Sequence, residues 1–181
     1  MVIADVMTWV AVIAGILAAF PGFWLTLRGL FPQFHEACAQ RATRNLVVPF
    51  FVGVPFVVAV VIAVSALGKL GGPGGVALVL LISLTLSVAH TGVAGLVTTL
   101  GRRMPSPTDT ERPWKATLRG AIALELAYLM PIVGWFLLLP LTTIIGIGIT
   151  VQTIIATAFG RKESERSSTA SEASPSLSLQ Q

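Results

Sequence analysis

Three stretches of this chain, Thr8–Leu27, Leu46–Leu67 and Val76–Leu100, run for about 20 residues each without a formal charge. A helix rises about 1.5 Å per residue, so roughly 20 apolar residues match the ~30 Å hydrocarbon thickness of a bilayer. The first run is interrupted by Pro21-Gly22 and stopped by Arg28; the second holds Pro49, Gly53 and Pro55 in its first half; the third has no proline. Between the second and third lies Gly68-Lys69-Leu70-Gly71-Gly72-Pro73-Gly74-Gly75, a sequence that reads as a tight turn.

The apolar stretch from Ala116 to Phe159 is too long for one crossing, at about 44 residues or ~66 Å of helix. Pro131 and Gly134 mark its break, so two arms are expected, Trp114–Met130 and Trp135–Phe159, meeting in a hairpin. The first arm, about 25 Å long, is either a full crossing or re-entrant. The expected fold class is therefore all-α: a polytopic transmembrane bundle of four to five segments in one domain, residues 1–160. A Ser-rich tail from Arg161 to Gln181 reads as disordered and cytoplasmic. Pro32 to Asn45 reads as an interfacial helix, with Pro32 at its start and Arg41 and Arg44 near its end. Phe31, Phe34 and Cys38 would form its lipid-facing stripe.

Composition agrees. Hydrophobic residues make up 54% of the chain and charged ones 11%, against roughly 25% charged in soluble domains. The net charge of +4 does not point to nucleic acid, because the basic residues are spread between apolar runs. They fit positive-inside topology instead. With residues 28–45, 101–115 and the tail on the cytoplasmic side, eleven of the twelve basic residues fall inside or at the inner boundary: Arg28, Arg41, Arg44, Arg102, Arg103, Arg112, Lys115, Arg119, Arg161, Lys162 and Arg166. Lys69 alone falls outside. The N-terminus is then external and the C-terminus cytoplasmic, with Trp9 and Trp135 near the outer interface and Trp24 and Trp114 near the inner one. No secretory signal is apparent, since Met1–Met7 carries Asp5 and no basic residue.

Few side chains suggest chemistry. His90 is the one histidine inside an expected span and Glu125 the one carboxylate deep in an apolar run. Ionisable groups there are costly and mark sites or packing contacts. The two reach similar depths, about 18 Å before Arg102 and 15 Å past Lys115, so a pair is feasible. Ser83, Ser87, Thr91 and Gly95 recur every four residues, as a helix-packing seam does, and Thr99 extends the row. Gly146 and Gly148, with Thr142, Thr150 and Thr153, read as a second seam. His35 and Glu36 lack the second histidine of a zinc-protease helix, since position 39 is Ala39. The one cysteine, Cys38, lacks a third group to make it a nucleophile and excludes an intramolecular disulfide. No catalytic residue, metal site or cofactor is expected.

One resemblance rests on short motifs. Gly29-Leu30-Phe31-Pro32 closes the first helix; then come Arg112-Pro113-Trp114-Lys115, Gly120, Pro131-Ile132-Val133-Gly134-Trp135 and Gly146-Ile147-Gly148. Over roughly Arg28–Ile149 this order resembles the multi-helix membrane module attached to bactofilin-like, polymer-forming cytoskeletal proteins of prokaryotes. The resemblance implies a prokaryotic membrane anchor and assigns no catalytic residue; no β-helical polymer domain lies within these residues. The resulting expectation is a non-catalytic protein of a bacterial inner membrane that anchors or organises a protein partner, or copies of itself. The alternative is a small transport or proton-linked subunit using His90 and Glu125.

Overall fold

The computed structural model describes the chain except Met1, Gly71, Pro105, Thr110 and residues 173–181. Among the described residues the regular structure is helical, without a strand. The order is α1 (Val2–Leu30), α2 (Pro32–Arg44), α3 (Val47–Leu67), α4 (Gly72–Arg102), α5 (Trp114–Tyr128), the one-turn α6 (Pro131–Val133) and α7 (Leu139–Glu172). Four segments are long and apolar enough to cross a membrane: Ile3–Leu30, Val47–Leu67, Gly74–Arg102 and Pro131–Phe159. The expected all-α, multi-pass class agrees with these four helices.

Boundaries differ from expectation in three places. α4 begins at Gly72, inside the glycine-rich stretch read as turn, so the connection from α3 shrinks to a single 3-10 turn, Gly68–Leu70, and its flank. α5 ends at Tyr128, two residues before the expected end of the first arm at Met130, and its 15 residues rise about 22 Å. The backbone of α7 runs on to Glu172, past residue 160, where the sequence places the start of the tail; residues 173–181 of that tail lie outside the described residues. α6 joins α7 through a π-helical turn, Gly134–Leu138, in which the Leu139 amide reaches back to the Gly134 carbonyl. Pro140 explains the widening: it has no N–H for the Phe136 carbonyl, and its ring would crowd that carbonyl in a regular helix.

Lipid tails are as apolar as leucine, so helices in a bilayer gain most from close packing and interhelical hydrogen bonds. This bundle is built that way. α4 crosses α7 where Gly92 faces Gly146, so tightly that a Cβ on Gly92 would lie 2.6 Å from the Gly146 carbonyl carbon. The second seam holds: Gly148 packs on the backbone of Pro49 in α3, and Thr150 donates to the Val88 carbonyl at 2.9 Å. α5 runs antiparallel to the last turns of α4, with Gly101 on Ala116 and Gly120 on Val97. Trp24 of α1 completes this corner with Val93, Ala94, Val97, Ala121 and Leu124.

α2 corrects an expectation. Its Cys38 does not face lipid: His35, Cys38, Ala39 and Ala42 are buried, and the helix is wedged against α4 and α7. Gly95 is the cause, since a Cβ there would lie 2.7 Å from the Cys38 carbonyl carbon. Small residues on both sides let the two backbones touch, and Phe34 turns inward with Cys38, Ile145 and Ile149 while Phe31 stays exposed. The stripe expected to face lipid is thus the face that packs against the bundle.

Candidate functional site

His90 stands in α4 with its Nδ1 2.8 Å from the carbonyl of Leu86. A carbonyl only accepts, so Nδ1 carries the proton and, in the neutral ring, Nε2 is left as an acceptor. The ring stacks on Phe20 at 5.5 Å and 9°, meets Phe23 edge-on at 6.0 Å, and lies 6.5 Å from Trp24. Ala19, Phe20, Phe23, Leu86, Ser87 and His90 line an open cavity of about 440 Å³ between α1 and α4. Glu125, on α5, is buried at 4% exposure, and its Oε1 has no hydrogen-bond partner among the described residues. No hydrogen bond joins His90 to Glu125 among those residues; His90 satisfies itself on its own helix and on aromatic rings.

The Ser83, Ser87, Thr91, Gly95 row divides. Gly95 is buried under α2 and Thr91 is half-buried, but Ser83 and Ser87 are exposed, which corrects the expectation of one continuous buried seam. The Ser87 and Thr91 hydroxyls are satisfied on their own helix. Ser87 donates to the Ser83 carbonyl at 2.8 Å and Thr91 to the Ser87 carbonyl at 2.7 Å, so neither is left unpaired in an apolar solvent. Thr99, a turn beyond Gly95, is buried and donates to the Ala39 carbonyl of α2 at 3.0 Å.

The largest polar constellation sits elsewhere, at the end of the bundle where α1, α2, α4 and α5 meet. Arg28 donates to the Pro113 carbonyl at 2.8 Å and to Thr117 Oγ1. Thr117 is 2.9 Å from Thr98 Oγ1, and Thr98 Oγ1 is 2.7 Å from His35 Nε2. Arg28 donates to Thr117 and Thr117 to Thr98; Thr98 either donates to the Ala94 carbonyl at 3.2 Å and accepts from His35 Nε2–H, or donates to an unprotonated Nε2. His35 Nδ1 is buried without a partner among the described residues. Burial, reinforced by the Arg28 and Arg102 charges and opposed by Glu36, pushes His35 down to about 4. Next to it, Glu36 and Arg102 form a two-armed ion pair at 2.8 and 2.7 Å, and the Arg102 hydrogen bond holds the Glu36 carboxyl below its ordinary range.

A second two-armed pair, Asp109 with Arg119 at 2.8 and 2.5 Å, pins the loop before α5. Cys38 Sγ lies 3.5 Å from Thr153 Oγ1, and burial raises the thiol above its ordinary range, which makes it a poor nucleophile. Sequence reasoning set His35 aside for want of a motif. The available signal was that Arg28, His35, Thr98 and Thr117 all sit within a few residues of an expected inner boundary. What it could not show was that four helices bring them together. No group of three or more metal-ligating side chains occurs among the described residues. No protein-family model, curated protein or solved structure matches the chain.

Proposed function

We propose that this chain is a multi-pass membrane protein, with its N-terminus external and its C-terminus cytoplasmic, that anchors or organises a protein partner. The orientation is supported by where the charges meet in space. Arg28 bonds to the start of α5 and Arg102 to α2, so the basic connections between helices gather at one end of the bundle. Lys69 lies in the 3-10 turn between α3 and α4, beyond the spans that lead away from that end. A bacterial inner membrane is the setting the motif resemblance suggests.

The anchoring role rests on one observation: the helices are packed at the basic end and part at the other. From Gly75 to Val88 no residue of α4 is buried, and residues 3–14 of α1 are exposed throughout. The notch between these two helix halves carries Ser83, Ser87 and the His90 cavity, a small-residue surface suited to a helix from a partner or a second copy. Purification in a mild detergent tests this. A stoichiometric protein partner or homo-oligomer should co-purify and be lost in Ser83→Leu/Ser87→Leu. A lone monomer in both preparations would refute it.

A second reading, a proton-linked subunit, is favoured by one atom, the buried and unpartnered Oε1 of Glu125. Proteoliposomes separate the readings: a proton flux abolished by Glu125→Gln in a folded protein would displace the anchoring proposal.

A further inference from the structure

The turn that joins α5 to α6 has unusual chemistry for a connection between helices. From Leu129 to Leu141 the chain carries no charged residue and no hydroxyl or amide side chain. Its side chains nevertheless point outward: Ile132 is 77% exposed, Phe136 81% and Trp135 67%. A connection in water would leave these apolar surfaces hydrated, and a polar turn would replace them at little cost.

Part of the backbone hydrogen bonding of the turn is met within the turn. The Leu129 amide bonds to the Glu125 and Leu126 carbonyls at 3.1 and 3.2 Å, Met130 to the Ala127 carbonyl at 3.3 Å, and Gly134 to the Met130 carbonyl at 2.7 Å. Pro131 has no amide to satisfy. Gly134 lies directly over the Tyr128 and Ala127 carbonyls, where a Cβ would come within 2.5 and 2.7 Å of the two oxygens. That cover shields carbonyls which, exposed to hydrocarbon, would be expensive.

Length fixes the depth. α5 starts level with the end of α4, since Ala116 packs on Gly101, next to Arg102 and Arg103 at the basic end. Its 15 residues then climb about 22 Å of a ~30 Å hydrocarbon layer. The returning arm, Pro131–Phe159, is long enough to leave the bilayer from any such depth.

We propose that the turn Leu129–Leu137 is embedded in the acyl chains of the outer leaflet, which makes α5 to α7 a re-entrant hairpin. This rests on the membrane reading above. The turn stops about 8 Å short of the outer boundary, within reach of the headgroups for the Trp135 indole alone.

The test uses Cys38→Ser as background and single cysteines at Lys69, Ser106 and Ile132. A water-soluble maleimide is applied to right-side-out and inside-out vesicles. Lys69→Cys should label only from outside and Ser106→Cys only from inside. Ile132→Cys should label from neither side until the protein is denatured, and Leu129→Cys, a second site on the turn, should behave alike. A nitroxide at Ile132→Cys should collide with oxygen and not with a water-soluble nickel chelate. Labelling of Ile132→Cys from outside would overturn the proposal, as would a nitroxide shielded from both collision reagents, which would mean protein covers the turn. If Lys69→Cys and Ser106→Cys label from the same side, the membrane topology itself has failed, a result distinct from either.

Discussion

Replacing Gly92 by alanine adds one methyl group at the point where α4 and α7 touch. That carbon would lie 2.6 Å from the Gly146 carbonyl carbon and 2.8 Å from its Cα. Carbon atoms in contact prefer about 3.5 Å or more, so the two backbones must part by ~1 Å. Neither side has a flexible side chain to swing away, because both partners are backbone. Overpacking of this kind costs about 1–3 kcal/mol. The Thr150 hydroxyl, 2.9 Å from the Val88 carbonyl, would be drawn out of range by the same separation, for roughly 0.6 kcal/mol more. The expected loss is about 2–4 kcal/mol, measured as the shift in a denaturant unfolding curve of the protein in mixed micelles. Gly15→Ala is the control: nothing lies within 4 Å of its added carbon, so it should be neutral or slightly stabilising through helix propensity. If Gly92→Ala unfolds with the wild type while Gly15→Ala is also silent, the helix crossing described above is wrong.

Three other outcomes follow from the polar contacts. His35 has its proton affinity lowered from 6.5 to about 4 in the fold, so its neutral form stabilises the protein above pH 6.5 and that contribution is lost as pH falls toward 4. Stability should drop by about 2 kcal/mol between pH 7 and pH 5, and His35→Gln should flatten the dependence; an unchanged slope in the variant would assign it to another group. Glu125→Gln and His90→Gln should add within about 0.5 kcal/mol in a double-mutant cycle, because no hydrogen bond links them, whereas Thr98→Val and Thr117→Val should couple by about 1 kcal/mol. Arg102→Gln combined with Glu36→Gln should show a coupling under about 1 kcal/mol, since both side chains are more than two-fifths exposed and water or headgroups screen them.

The helices were legible because a bilayer imposes a length on every crossing. The runs 46–67 and 76–100 fall within about four residues of α3 and α4, and Pro131 marks the break that the fold uses. Gly146 and Gly148 were readable for a related reason: two glycines with threonines in one apolar helix have few roles other than close packing. The fate of α2 was not readable. Its stripe of Phe31, Phe34 and Cys38 suits lipid as well as protein, and only the position of Gly95, more than fifty residues away, decides in favour of protein. His90 and Glu125 stand out in the sequence as isolated ionisable groups; His90 is satisfied on its own helix, while Glu125 Oε1 is buried without a partner among the described residues. The connected polar chain was hidden because threonine carries no formal charge and its partners lie on four separate helices. Ser83 and Ser87 could not be separated from Gly95 by spacing, because periodicity defines a face of a helix and not how far along it a neighbour extends.

In the proposed topology the chain threads a membrane with its ends on opposite sides. Fusing a compartment-sensitive reporter after Gly72 and, separately, after Gln181 tests it directly. An external signal is expected at Gly72 and a cytoplasmic one at Gln181. The same side for both would contradict it.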